Sequence, residues 1–329
     1  MMKILGIGNA LLDVLLMLES DETLARLGME KGVMDLIDER RMLEIHRAQA
    51  GLKRNEAPGG SVCNTMRALA ALGAEAGYVG KIGSDNAGRF YEQAVRQAGV
   101  TPCFVRVEGI SGCSTVLISP DGERTMATFL GPAAMLSADE ITDDTLCKYD
   151  CVYVEGYLIS NDTLFLPILQ RIRRLGLKIA LNLSNFNVVD SFIELWRRVI
   201  PEYVDILFAN GSEAKSYTGL DAENAIGEIL KQVDTAVVTI GEKGALAGSG
   251  NTRIHVPAPA CTPIDTTGAG DNFAAGFLYG LSAGASLEQS ARIGTLLSGH
   301  VIETVGPQIP AGSWDEIKLK VNEYVGQSR

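Results

Sequence analysis

The chain has 329 residues, 46% of them hydrophobic, and a formal net charge of −11. That length supports a large core in one large or two small domains. An acidic balance without a long basic run argues against nucleic acid and anionic membranes as partners. The cysteines, Cys63, Cys103, Cys113, Cys147, Cys151 and Cys261, include no CxxC pair, so free thiols in a reducing compartment are expected. His46, His255 and His300 lack metal-ligand spacing, which excludes an ordinary zinc site.

Residues 3–8 form a short apolar run that predicts a buried strand. The run continues in signal-peptide fashion, but Asn9 and Asp13 interrupt it and no small-residue cleavage site follows. No apolar run reaches the length of a transmembrane helix, so a cytoplasmic protein is expected. Strands are predicted at 14–18 and 32–37, then a charged helix at 38–50. A helix at 61–72, a strand at 76–82 and an amphipathic helix at 86–98, ended by Gly99, come next. Runs 103–107, 113–119 and 124–129 read as strands, with Pro120-Asp121-Gly122 as the turn joining the last two.

From residue 138 the rhythm changes to alternating strands and helices. Strands fall at 151–154, 178–183, 206–209 and 235–240, and helices at 163–175, 189–199 and 222–233. This alternation predicts a parallel, doubly wound α/β sheet covered on both faces. The strands near 14–18, 32–37 and 103–129 break the rhythm and predict a separate small sheet built from insertions.

The segment Asp265-Thr266-Thr267-Gly268-Ala269-Gly270-Asp271 opens an apolar helix. Glycines at a helix N-terminus present N–H groups to an anion. A carboxylate at such a place repels the anion unless it removes a proton from a nucleophile attacking it, which is the layout of a phosphoryl transferase. The alternative for Asp271 is a helix cap. Gly59 and Gly60 precede a helix carrying Asn64; glycines admit close approach of a substrate, and an amide suits a hydroxyl pair. Their alternative is a glycine turn with a first-turn Asn. Asp13 could accept two hydroxyl hydrogens, with Asn9 beside it, or both could cap a loop. Asn210 and Glu213 follow a strand and are equally a helix start, although Mg²⁺ needs few carboxylates because it keeps its waters. Thr239, Gly241 and Gly244 form a turn between strands 235–240 and 245–248. There is no G-x-x-x-x-G-K-[ST]. Gly6 and Gly8 lack the third glycine of a dinucleotide fingerprint, because position 11 is Leu11.

The 265–271 string resembles the C-terminal signature of the ribokinase/PfkB family of small-molecule kinases. Gly59-Gly60-Ser61-Val62-Cys63-Asn64, followed by Ala68, Ala70-Ala71-Leu72-Gly73, resembles the family's other signature. The similarity covers essentially the whole chain. It implies a ribokinase-like, mostly parallel sheet in one kinase domain of 1–329, with an interleaved β lid at about 13–38 and 102–130. It implies ATP and Mg²⁺ as cofactors, with K⁺ in some members, and a monomer or homodimer. By resemblance, Asp271 is the base, and the N–H groups of Gly268, Ala269 and Gly270 form the anion hole. Asn9, Asp13, Gly59, Gly60 and Asn64 hold ribose. Asn210, Glu213, Thr239, Gly241, Gly244 and Thr267 serve the nucleotide, Glu213 holding Mg²⁺ through water and Asp265 a monovalent cation. The helix at 287–302 and the loop at 304–306 wall the adenine of ATP.

Within the family, Gly122-Glu123-Arg124 to Gly131 and the stretch 181–188 are similar to adenosine kinases, where the Arg contacts phosphate. The second stretch lacks the Asp and Arg of many sugar kinases. Met34, Leu36, Met126, Leu130, Tyr157 and Phe186 are candidate base-facing residues, or plain core and lid. An apolar, aromatic pocket suits a purine. The expected activity is ATP-dependent phosphorylation of the 5′-hydroxyl of a ribonucleoside, adenosine first. A sugar kinase for ribose, fructose or a sugar acid is the alternative, followed by a non-catalytic ligand-binding relative and a nicotinamide dehydrogenase. Asn272 departs from the family's small residue.

Overall fold

The computed structural model describes residues 1–49, 51, 52 and 54–326. Nine strands form the large sheet in the spatial order Thr252–Val256, Ala245–Ser249, Thr235–Thr239, Ile206–Asn210, Lys178–Asn182, Cys151–Val154, Ile4–Ile7, Ala76–Val79 and Thr101–Pro102. Pairing is parallel except across the last hairpin, where 245–249 runs antiparallel to both neighbours. The central strands are apolar on both sides because both sides are covered: Cys151 and Tyr153 enter one core, Val152 and Val154 the other. The helix Phe165–Arg174 shows how the cover is made. Phe165, Ile168, Leu169 and Ile172 are buried along one stripe, and Arg171, Arg173 and Arg174 sit in the last turn, where positive charge is favoured.

A second sheet has five strands in the order Met34–Leu36, Arg124–Phe129, Cys113–Ile118, Leu11–Met17 and Arg54–Gly59. The strand Arg54–Gly59 was not legible, because Arg54, Asn55 and Glu56 carry no strand pattern; backbone pairing with Leu11–Leu16 at the sheet edge makes it one. It lies outside the stretches 13–38 and 102–130 expected to build this sheet. The expected strand 103–107 also differs: Thr101–Pro102 joins the large sheet, and Val105–Val107 pairs with Lys81–Gly83. The run 76–82 is correspondingly split at Gly80, whose Cβ would press on the Gly8 carbonyl at 3.1 Å.

The expected helix 189–199 is two helices, Phe186–Ser191 and Ile193–Tyr203, broken where Phe192 takes φ −124° and ψ 26°. The helix Glu39–Ala48 is capped by Asp38, which accepts from the Arg41 N–H; its expected end at Ala50 lies outside the described residues. A short helix, Glu22–Arg26, was not expected. The helices Ala269–Ser282 and Leu287–Ile302 pack closely: a Cβ on Gly276 would meet the Ile293 carbonyl at 2.7 Å, and one on Gly280 the Ser290 Cα at 2.6 Å. This packing anchors the helix that carries Asp271. Among the described residues, no helix is long and apolar enough to cross a membrane, and the cysteines are free thiols.

Candidate active site

Asp271 lies in the first turn of Ala269–Ser282, half-buried where that helix meets the helix Ser61–Ala71. Its Oδ1 accepts from Ser61 Oγ at 2.5 Å and its Oδ2 from Asn64 Nδ2 at 2.9 Å. Burial pushes its carboxyl up, and the two donors oppose that. Asn64 Oδ1 is buried and has no partner. An orphaned acceptor beside a carboxylate suits a substrate hydroxyl, because burying it unpaired is costly.

Gly268 takes φ +76°, and a Cβ there would meet Pro307 Cβ at 2.6 Å, so only glycine fits the turn into the helix. The Ala269 N–H, expected in the anion hole, instead donates to the Thr266 carbonyl at 3.2 Å, because it closes this turn. Asn272 is 1% exposed and donates to the Gly268 carbonyl at 2.9 Å and the Pro307 carbonyl at 3.0 Å. This departure from the family pattern is therefore a staple behind the anion loop.

Asn9 and Asp13 flank the chain's passage between the two sheets. A Cβ on Gly59 would lie 2.2 Å from the Asp13 carboxylate, and one on Gly60, at φ +92°, would lie 2.5 Å from the Asn9 carbonyl. Both glycines are thus required by close approach. Burial lifts the Asp13 carboxyl to about 7, Arg124 opposes this and Asp271 adds to it. Asn9 is itself held: its N–H and Nδ2 both donate to Glu155 Oε1, at 2.8 and 2.6 Å.

Glu155, at the end of Cys151–Val154, is a site residue that sequence reasoning missed. It is 1% exposed, and burial lifts its carboxyl to about 7 against the opposing Asn9 donors. The signal was a lone acid directly after an apolar strand, at the sheet end where ligands bind. The folded state holds this proton more tightly than the unfolded chain, whose ordinary value is 4.5. Stability should therefore be greatest below 4.5 and fall as pH rises through about 7, by on the order of 3 kcal/mol from Glu155 alone. Glu155→Gln keeps an acceptor for Asn9 and should flatten that slope. Thermal melts of parent and variant from about pH 5 to pH 8 check it; parallel slopes would contradict it.

The register of the second sheet defines its faces, since side chains alternate along a strand. Asp13, Ser114, Thr128 and Leu36 stand in one row, and Leu15, Val116, Met126 and Met34 in the next. Met17, Ile118 and Arg124 form a third row. Arg124 bonds Thr267 Oγ1 at 3.0 Å and pairs with Asp265, so this face turns toward the anion loop. Thr115, on the opposite face, bonds His46 of the outer helix Glu39–Ala48 at 2.8 Å. Asp265 also accepts from Thr267 N at 3.1 Å, Thr267 Oγ1 at 2.7 Å and Gly306 N at 2.6 Å. Burial would raise Asp265, but these donors and Arg124 together hold it below its ordinary value.

Of the candidate base-facing residues, Met34, Leu36 and Met126 share the Arg124 face. Leu36 and Leu130 line a cavity of about 430 Å³ with Met135 and Phe129. The Tyr157 hydroxyl donates to the Ser184 carbonyl at 3.3 Å. Phe186 is 46% exposed at the start of its helix.

A larger cavity of about 840 Å³ adjoins the anion loop. Asn210, Thr239, Gly241, Ala269 and Gly270 line it, together with Lys243, which was not expected. Glu213, Gly244 and Thr267 do not line it. Gly244 belongs to the turn of the antiparallel hairpin, as the alternative reading had it. Asn210 and Glu213 form a reciprocal capping box, so the helix-start reading also holds. Glu213 is 6% exposed and burial lifts it to about 7. Among the described residues no lysine, arginine or histidine pairs with it, and no three acidic, histidine or cysteine side chains form a metal cage. A buried acid lacking a counter-charge fits Mg²⁺ held through its own waters.

A buried acid between two helix starts, an anion loop and a bordering cavity together define a phosphotransferase site. The profile of the PfkB family carbohydrate kinases matches residues 33–314, and the chain belongs to that family. It is an ATP-dependent phosphotransferase. Kinases of this family use ATP, typically with Mg²⁺. The fold is similar to a probable sugar kinase from Rhizobium etli CFN 42, with 32% identity, a TM-score of 0.87 and 98% of each chain covered. It is similar to the adenosine kinase from Sinorhizobium meliloti, with 31% identity and a TM-score of 0.86 over 97% of this chain and 99% of that one. An uncharacterized sugar kinase from Archaeoglobus fulgidus is 29% identical over 248 residues, 72% of this chain and 95% of its own length.

Proposed function

We propose that this kinase phosphorylates the 5′-hydroxyl of a ribonucleoside, adenosine first. The observation that carries this reading is the face of the second sheet. Met34, Val116 and Met126 offer an apolar surface in the row beside Asp13, so a base would lie against them while ribose hydroxyls meet the carboxylate. The similarity to an adenosine kinase supports the same choice. Ser114 and Thr128 favour a sugar as the second reading, because their hydroxyls, 3.0 Å apart, lie on that face too. One donates to the other, however, which leaves a single hydroxyl proton on a face otherwise apolar in this row and the next, apart from Asp13.

In the proposed reaction Asp13, Asn64, Gly59, Gly60 and Asn9 hold the ribose, and Glu155 fixes Asn9. Asp271 takes the proton of the 5′-hydroxyl. The amides of Gly268 and Gly270 stabilise charge on the transferring group. Arg124 exchanges Asp265 for that group, and the second sheet acts as a lid that excludes water. Glu213 and Asn210 would hold Mg²⁺ through water, and the ion when bound neutralises phosphate charge. Asp265 is a candidate ligand for a monovalent cation, which would compete with Arg124 for the carboxylate.

An ADP-release assay with Mg-ATP against adenosine, inosine, guanosine, cytidine, ribose and fructose tests the reading. Turnover should concentrate on adenosine, with kcat/KM at least about 100-fold above ribose. Preference for a free sugar would keep the chemistry and overturn the base surface.

A further inference from the structure

Asp271 ends a chain of one-way hydrogen bonds that starts at the backbone of Gly156. A backbone N–H can only donate. The Gly156 N–H donates to Asn182 Oδ1 at 3.1 Å and to Ser184 Oγ at 2.8 Å. Ser184 Oγ in turn donates to Asn182 Oδ1 at 2.5 Å. The Asn182 carbonyl therefore faces Gly156 and its Nδ2 faces the site. There Nδ2 donates to the Tyr153 hydroxyl at 2.7 Å and to Ser61 Oγ at 3.3 Å. Ser61 has one hydroxyl proton. With Asn182 donating into its lone pair, that proton points at Asp271 Oδ1, 2.5 Å away.

Ser184 has φ 65°, the one positive value outside glycine among the described residues. Such a conformation persists where its surroundings over-determine it, and it gathers at functional sites. Asn182 and Ser184 belong to the 181–188 stretch, which departs from the sugar-kinase pattern and has no role in the reaction as written so far.

We infer that Asn182 and Ser61 are positioning residues for phosphoryl transfer: together they aim the Ser61 proton at Asp271, hold its carboxylate toward the acceptor and keep it ionised. The inference rests on the reading of Asp271 as the general base. Burial of Asp271 makes such help necessary, and no group that faces it supplies a positive charge. Asp13 faces it from the second sheet, Tyr153, Glu155 and Tyr157 from the end of Cys151–Val154, and Cys63 from Ser61–Ala71. All are acids, and Arg124, the cation that acts on Asp13, is paired with Asp265. Burial favours a protonated, inactive Asp271, and the donors Ser61 and Asn64 oppose it.

The test is kcat against pH for the parent, Ser61→Ala, Ser61→Thr, Asn182→Leu and Asp271→Asn, with saturating Mg-ATP and the best acceptor from the panel. Ser61→Ala should move the acid limb up by about one to two pH units. Its plateau at high pH should return to within roughly tenfold of the parent, with acceptor KM little changed. Ser61→Thr keeps the hydroxyl and should restore the parent limb. Asn182→Leu frees the Ser61 proton to turn away and should move the limb the same way as Ser61→Ala. A lowered plateau over an unmoved limb in Ser61→Ala would overturn the inference, and that variant decides alone if Asn182→Leu does not fold. Asp271→Asn separates the two levels. Collapse of activity keeps the base reading whatever Ser61 does; a parent-like profile removes the base reading and this inference with it.

Discussion

Asp271→Asn should lower turnover on the order of 10³- to 10⁴-fold while acceptor binding stays within a few-fold of the parent. The substitution preserves shape and removes only the ability to take a proton. The site can absorb it: the new amide would oppose Asn64 Nδ2, but Asn64 can rotate its unpartnered Oδ1 into that place. Ser61 keeps an acceptor. Binding should therefore survive, because Asp13 and the two glycines are untouched and the rotated Asn64 presents a donor to a hydroxyl that can accept as well as donate. Single-turnover kinetics beside calorimetric binding would separate chemistry from affinity. Turnover within tenfold of the parent would remove Asp271 from proton transfer.

Arg124→Ala should lower kcat on the order of 10²- to 10³-fold and change acceptor KM by less than about fivefold. Arg124 is the one side chain of the second sheet that the hydrogen bonds bring onto the anion loop, through Asp265 and Thr267. In the proposed reaction its guanidinium would therefore lie beside the place where phosphoryl charge develops, and charge that grows in the transition state is what such a group stabilises. Arg124→Lys should recover little, since a point charge cannot bond two oxygens in the planar fork of Arg. Asp265 would keep its bonds from Thr267 and Gly306, so the loop should hold its shape. A KM effect larger than the kcat effect would place Arg124 on the acceptor and not on the transferring group.

Local signals were readable wherever local chemistry decides. The apolar strand Cys151–Val154 and the helix Leu287–Ile302 fall where periodicity puts them. The hairpin strand Arg124–Phe129 begins after the Pro120-Asp121-Gly122 turn, which only a glycine at φ +88° closes readily. Strand Arg54–Gly59 was unreadable because edge pairing with Leu11–Met17, and no property of its own residues, makes it extended. Asp271, Asn64, Asp13 and Arg124 were singled out by residue type and motif, and the structure brings Asn64 onto Asp271 and Arg124 onto the 265–267 turn. Glu155 was overlooked, since a single acid after a strand carries no pattern until Asn9 is seen to donate to it twice.

By itself the sequence determined the α/β alternation, the glycines of both signature turns, and which carboxylates and amides were candidates for the chemistry, because each depends on short-range backbone freedom or on residue identity. Only the tertiary structure decided which of these groups meet. Residues 61 and 271 are joined by one hydrogen bond, residues 124 and 265 by an ion pair, and residues 9 and 155 by two bonds to one oxygen. It also decided that the Ala269 amide serves the turn and that Asn272 staples the loop. These are long-range contacts set by how two sheets and two closely packed helices fit together, and no local pattern in the chain encodes such a fit.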